Sequence, residues 1–261
     1  TTGTNNTLIG GLAGDAITTG GQNVAVGIYS LSANTDGAYN TAVGRRALRP
    51  NTGSDNNTAI GANALYTFNV ASGNGYNTAV GKNAGYAITT GTSNTIVGAL
   101  AGDSITTGAN NTAIGVSALD ANTTASSNTA VGSNALGAAT TGALNVAVGS
   151  NALLTNITGT RNSALGVGAL QLNTASDNVG IGYHALDTNA GGSNNTAVGT
   201  EAMDANTSGS ANVAVGYRAL DANTTADNNV AIGQSALTAS TTAANNVAIG
   251  YNAGLSVTTG A

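Results

Sequence analysis

Few side chains in this chain could do chemistry. Its 261 residues include one His, one Lys (Lys82) and no Cys, with six basic against eleven acidic residues. The lack of Cys removes disulfides, thiolate metal sites and a cysteine nucleophile. A net charge of −5 argues against a nucleic-acid partner, which needs a cationic surface. His184 stands between Tyr183 and Ala185 at what reads as an exposed position of an internal repeat, and a lone surface His rarely acts as a catalyst. It reads as a bystander. No catalytic residue and no cofactor are expected.

Aspartate is distributed less randomly. Six of the eleven acidic residues, Asp15, Asp103, Asp120, Asp187, Asp204 and Asp221, occupy one position of an internal repeat. Asp187, Asp204 and Asp221 fall in consecutive repeats, which would stack their carboxylates about 5 Å apart. Such a column could bind a divalent cation through oxygen ligands, so these three are the weak metal candidates. The preferred reading is a solvated turn, with Asp bonding nearby backbone amides. Aromatic residues supply the other signal. Tyr66, Phe68 and Tyr76, with Tyr86 one repeat later, would form a contact loop for carbohydrate or protein. The plainer reading of the same residues is a plug covering the core.

The elements that position these residues are dictated by the repeat. An Asn recurs at residues 6, 23, 40, 57, 77, 94, 111, 128, 145, 162, 178, 195, 212, 229 and 246. Twelve of the fourteen intervals are 17 residues, one is 20 and one is 16. Self-similarity at a short fixed period marks a solenoid, so residues 1–261 read as one continuous repeat domain. The chain opens on "TTGTN" and closes on "TTGA", both in mid-repeat. It therefore reads as a segment of a longer fibrous protein.

Numbered from its Asn, the repeat has Gly at position 5 in every copy, and Val or Ile at position 4 except at Leu165. Position 3 is Ala in twelve copies. β-Branched residues at positions 2 and 4 predict a short strand with those side chains on one face. A second strand is expected over positions 7 to 10, where position 8 is Ala except at Ser30 and position 9 is usually Leu. Gly14, Gly85, Gly102 and Gly254 replace that large residue, and in those copies position 12 becomes Ile17, Ile88, Ile105 or Val257. One core pocket filled from either side explains the exchange. The result is an all-β fold, a parallel β-roll or β-solenoid of about fifteen 17-residue coils. The position 1 residues, among them Asn111, Asn128, Asn145, Asn195, Asn212 and Asn229, would stack as a structural amide ladder. With positions 2 and 4 taken as the inner face of the roll, the outer Ala face would admit a second chain closely.

The stretch "NTAVGSNALGAATTGALNVAVGSNAL" is similar to the repeats of trimeric autotransporter adhesin heads, and more so to arrays in phage tail-fibre proteins. The resemblance covers the whole chain. It implies a homotrimer of parallel β-rolls, side by side or intertwined, acting as a rigid extracellular projection on a virion tail or a bacterial cell surface. Partners would be copies of the chain itself and a host surface glycan or protein receptor. No apolar run is long enough for membrane insertion. A rival is an ice-binding solenoid, suggested by Thr pairs such as Thr106-Thr107 and Thr123-Thr124, although that column breaks at Ala190-Gly191.

Overall fold

A computed structural model describes residues 2–259; Thr1, Gly260 and Ala261, which belong to the terminal "TTGTN" and "TTGA" phrases, lie outside them. Among the described residues there are strands and turns and no helix. The chain divides into two units, Thr1–Asn128 and Thr129–Ala261. Each is a parallel β-solenoid.

In the first unit the strands Thr7–Ile9, Val24–Val26, Thr41–Val43, Thr58–Ile60, Thr78–Val80, Thr95–Val97 and Thr112–Ile114 pair in parallel order. In the second, Thr129–Val131, Val146–Val148, Ser163–Leu165, Val179–Ile181, Thr196–Val198, Val213–Val215, Val230–Ile232 and Val247–Ile249 do the same. Equivalent positions face each other, as in Thr41↔Thr58 and Ala42↔Ala59. The long repeat keeps this register, Thr58↔Thr78, and so does the short one, Ser163↔Val179. The three added residues are absorbed after Phe68, where Ser54–Asp55 pairs with Gly73–Asn74.

Each coil holds one three-residue strand at positions 2 to 4, and the expected second strand is not formed. Positions 7 to 10 are turns, because positions 7 and 9 sit in the left-handed region in every coil, as at Asn134 (φ 55) and Leu136 (φ 51). In a strand, Ala at 8 and Leu at 9 would point to opposite faces. The left-handed residues break that alternation, and both side chains are buried, as at Ala135 and Leu136. Left-handed backbone costs a non-Gly residue roughly 1 kcal/mol. Hydrogen bonds between coils offset it. Within the first unit, the position 7 amide of Arg46 donates backward to Ile28 O, and the position 9 amide of Leu48 donates forward to Ala64 O. Position 9 is thus a natural home for Gly, which adopts this conformation freely.

The two faces of the strand are the reverse of the expectation. Position 3 points inward, with Ala25, Ala42, Ala59, Ala147 and Ala214 all fully buried. Positions 2 and 4 point outward and are half-buried or exposed, as at Val146, Leu165 and Ile232. The reason is volume. A coil with one strand already encloses Ala at 8, a large residue at 9 or 12 and the position 1 Asn, so position 3 usually has room only for a methyl group. The exceptions follow that rule. Ile96 occupies position 3 where a Cβ on Gly85 or on Gly102 would lie 3.1 Å from its Cδ1. Gly180 stands at position 3 where a Cβ would meet Leu170 Cγ at 3.0 Å.

The exchange between positions 9 and 12 is a shared pocket. A Cβ built on Gly85 or Gly102 would lie 2.9 or 2.8 Å from Cδ1 of Ile88 or Ile105. Phe68 is also a position 12 residue and is fully buried. It therefore does not belong to an exposed contact loop, because the insertion begins only beyond it.

The position 1 asparagines stack inside the coils. The Asn212 backbone amide donates to Asn195 Oδ1 at 3.0 Å, and Asn212 Nδ2 donates to the Ala226 carbonyl at 2.8 Å. In the first unit Asn111 makes the same contacts to Asn94 Oδ1 and the Ala125 carbonyl, both at 3.0 Å, and its Oδ1 receives the Asn128 amide at 3.0 Å. Asn145 Nδ2 donates to Gly159 O, and Asn229 accepts from the Asn246 amide, each at 2.9 Å. A second buried column runs through position 12, where Asn206 and Asn223 each donate 2.8 Å bonds to the Oδ1 of the preceding coil's Asn. Buried amides must be paired, and one amide per coil both gives and receives.

Candidate functional site

Position 10 follows the buried Leu and points to solvent, so its side chains form a column along one edge of each solenoid. In the first unit the column reads Asp15, Ser32, Arg49, Tyr66, Tyr86, Asp103 and Asp120. Parallel coils bring successive members within about 5 Å. Tyr66 and Tyr86 stack, with ring centroids 5.0 Å apart and planes 10° from parallel. Arg49 lies one coil before them. Its Nη1 donates to the Tyr66 hydroxyl at 3.4 Å, and its guanidinium sits 5.6 Å from the centre of the Tyr29 ring.

These residues line a groove of about 690 Å³ whose walls include Asp15, Tyr29, Ser32, Arg49, Tyr66 and Asn69. The four aromatics singled out by sequence therefore separate. Tyr66 and Tyr86 share the column, Phe68 is in the core, and Tyr76 is exposed two residues before the strand Thr78–Val80. Sequence reasoning missed Tyr29 and Arg49, and placed Asp15 in the repeat column without joining it to the tyrosines. They were legible only by reading one column across successive repeats, because the loop sequence does not contain them.

Beyond Tyr86 the column turns acidic. The Asp120 carboxyl is pushed up to about 6, first by burial and then by a hydrogen bond and charge shared with Asp103. Two stacked carboxylates cannot both ionise freely, so Asp120 holds its proton up to about pH 6.

No protein-family model, curated protein or solved structure matches this chain.

In the second unit the column carries Asp187, Asp204 and Asp221 in consecutive coils. The expected exposed His184 is instead half-buried, with Nδ1 2.7 Å from Asp187 Oδ2. Position 7 is left-handed in every coil, which turns the imidazole back over position 10. His184, Asp187 and Asp204 offer ligand atoms within 4.8 Å of one another, a set of one nitrogen and two carboxylates that a divalent cation could use. Asp221 is not in that group; it lies 3.9 Å from Arg218 Nε. Burial raises the carboxyls of both Asp204 and Asp221, with Asp187 and Asp221 adding repulsion at Asp204. For Asp221, the neighbouring Arg218 opposes this without cancelling it. A proton shared along the column relieves the same repulsion that a cation would relieve.

Proposed function

We propose that the chain is a non-enzymatic structural segment of an extracellular fibre, a phage tail fibre or a bacterial surface adhesin, built as a homotrimer of parallel solenoids. The observation that carries this reading is the outward sheet face. Its ranks at positions 2 and 4 are half-buried or open, with Val146 at 43%, Leu165 at 51% and Ile181 at 38% exposure. Soluble single chains rarely leave so continuous an apolar strip uncovered, and packing against copies of the same chain would cover it. The repeat resemblance supplies the number three. The reading of the chain as non-enzymatic is supported by its one imidazole facing a carboxylate and not a nucleophile.

Light scattering tests the assembly. Three chains per particle are expected, converting to monomer in Val213→Lys/Val230→Lys, which charges two outward positions of adjacent coils. A wild-type monomer that stays folded and dispersed would overturn it.

A second reading has its own observation. Position 2 is Thr in six of the seven sheet strands of the first unit, beside a rank of Val and Ile. Regular outward Thr could order water on an ice surface. Thermal hysteresis from a monomer would favour that reading over the fibre.

A further inference from the structure

The groove at the start of the first unit has a chemistry of its own. The chain is acidic, yet four of its six cationic residues, Arg45, Arg46, Arg49 and Lys82, fall in the first unit. The other two are paired: Arg161 with Asp177 at 2.6 Å and Arg218 with Glu201 at 2.5 Å. Among the described residues, no carboxylate lies within ion-pair distance of Arg49. An exposed guanidinium, held between two tyrosines and left without a counter-charge, is a ready anion donor.

The remainder of the groove is suited to a polyol. Tyr86 covers one side of Tyr66, and Tyr66 alone of the pair lines the groove, which lies toward the Arg49 coil. A tyrosine ring offers an apolar platform to the C–H face of a sugar, with its hydroxyl at the rim. Ser32 and Asn69 supply donors and acceptors on the walls, and Asp15 at the far end accepts hydroxyl hydrogens. The coils advance about 4.8 Å each, comparable to the step of one pyranose along an extended oligosaccharide. Side chains at that pitch can each address a successive sugar unit.

We propose that this groove binds an acidic saccharide, its carboxylate on Arg49, one ring on Tyr66 and its hydroxyls toward Asp15. The inference deepens the fibre reading by giving the segment a ligand, and it is tested separately from assembly. Sialyllactose and tri-galacturonate are titrated into the full chain by saturation-transfer NMR and calorimetry, with lactose and maltotriose as neutral controls. The acidic sugars are expected to bind, with saturation transferred from tyrosine ring protons. Arg49→Gln should weaken them about tenfold or more and flatten the salt dependence. Tyr66→Leu, which keeps an apolar side chain on the coil, should abolish the ring contacts. Arg161→Gln in the other unit should change nothing.

Absence of saturable binding by either acidic sugar at millimolar concentration would overturn the proposal. So would equal binding of the neutral sugars unaffected by Arg49→Gln. Hexaglutamate binding as well as the sugars, undiminished in Tyr66→Leu, would make the groove a plain anion patch and also overturn it. Circular dichroism and light scattering on each variant separate loss of ligand from loss of fold or assembly.

Discussion

Two residues explain most of the repeat's rigidity: the Gly at position 5 and the large residue at position 9. Gly132 lies at φ +135, and a Cβ there would come 2.5 Å from Gly149 O. Gly73, in the inserted segment, also has positive φ, +92, but nothing within 4 Å of the added atom. Gly132→Ala should therefore cost at least about 3 kcal/mol, from clash plus strain. Gly73→Ala should show the strain alone, about 1 kcal/mol. Denaturant melts of the two variants isolate the clash as their difference; equal losses would mean the coils can spread. Position 9 gives a subtler case. Leu136 is fully buried but left-handed, so Leu136→Gly forfeits burial while releasing strain. A net loss of about 2 kcal/mol is expected, less than an ordinary Leu truncation to a cavity. Adding Ala139→Ile, which copies the Gly102 and Ile105 pair, should restore most of it. A double variant no better than the single one would refute the shared pocket.

For the coil as an element, the strand was legible in the sequence and the turn was not. Alternating β-branched residues around a small one give a strand at positions 2 to 4, and the fifteenfold period fixes its register. The inside of that strand could not be read from hydrophobicity, because Val and Ile are more apolar than Ala. Space decided it: Ala147 fits beneath the sheet and Val146 and Val148 do not. The second strand failed for a related reason. An "NAL" triplet fits an extended chain as well as a left-handed turn, and only hydrogen bonds between coils select the turn. In the candidate site, the stacked tyrosines were half visible, but Arg49 lay one repeat and Asp15 three repeats before Tyr66 in sequence.

The acidic part of the column has a measurable consequence. The Asp120 pKa is higher in the folded chain, about 6, than the ordinary carboxylate value of 3.8. Folding therefore takes up a proton between those values. Its stabilising contribution is fully present below about pH 4 and is lost as pH rises through about 6. With solvent screening discounted, the swing is on the order of 1 kcal/mol per chain. Asp204 and Asp221, also raised, act in the same direction. Unfolding midpoints should thus rise as pH falls from 7.5 to 5, and Asp120→Asn should flatten part of that slope. A slope of opposite sign would show that the carboxylates are paired with cations and not with one another.

At the scale of the whole molecule, stability is a sum of neighbour terms. Within each unit every strand pairs only with its neighbouring coils, and the turns bond in the same way. A defect should then melt its own neighbourhood and spare distant coils. In Gly132→Ala, amide exchange should accelerate around the Val131 and Val148 coils. It should remain slow around Val213 and Val230. Uniform acceleration throughout would mean that the array unfolds as one cooperative unit, in which case a single unfolding free energy would describe it.

The asparagine ladder carries a consequence for heredity. In the 17-residue coils such as those of Asn195 and Asn212 each rung grips the next through the same kinds of atom, so such a rung contains no record of its place in the series. Excising residues 195–211 would bring Asn212 against Asn178 with every contact type preserved, whereas a cut of half that length would put turn against strand. Unequal recombination between neighbouring copies can therefore lengthen or shorten the gene in whole coils without passing through an unfolded product. Under such drift the copies numbered by the 16- and 20-residue intervals stand apart, because each is matched to its own neighbours and cannot be exchanged for another. Length would be the trait most free to vary among descendants of this sequence, and the groove built on Arg49 and Tyr66, beside the long copy, among the least.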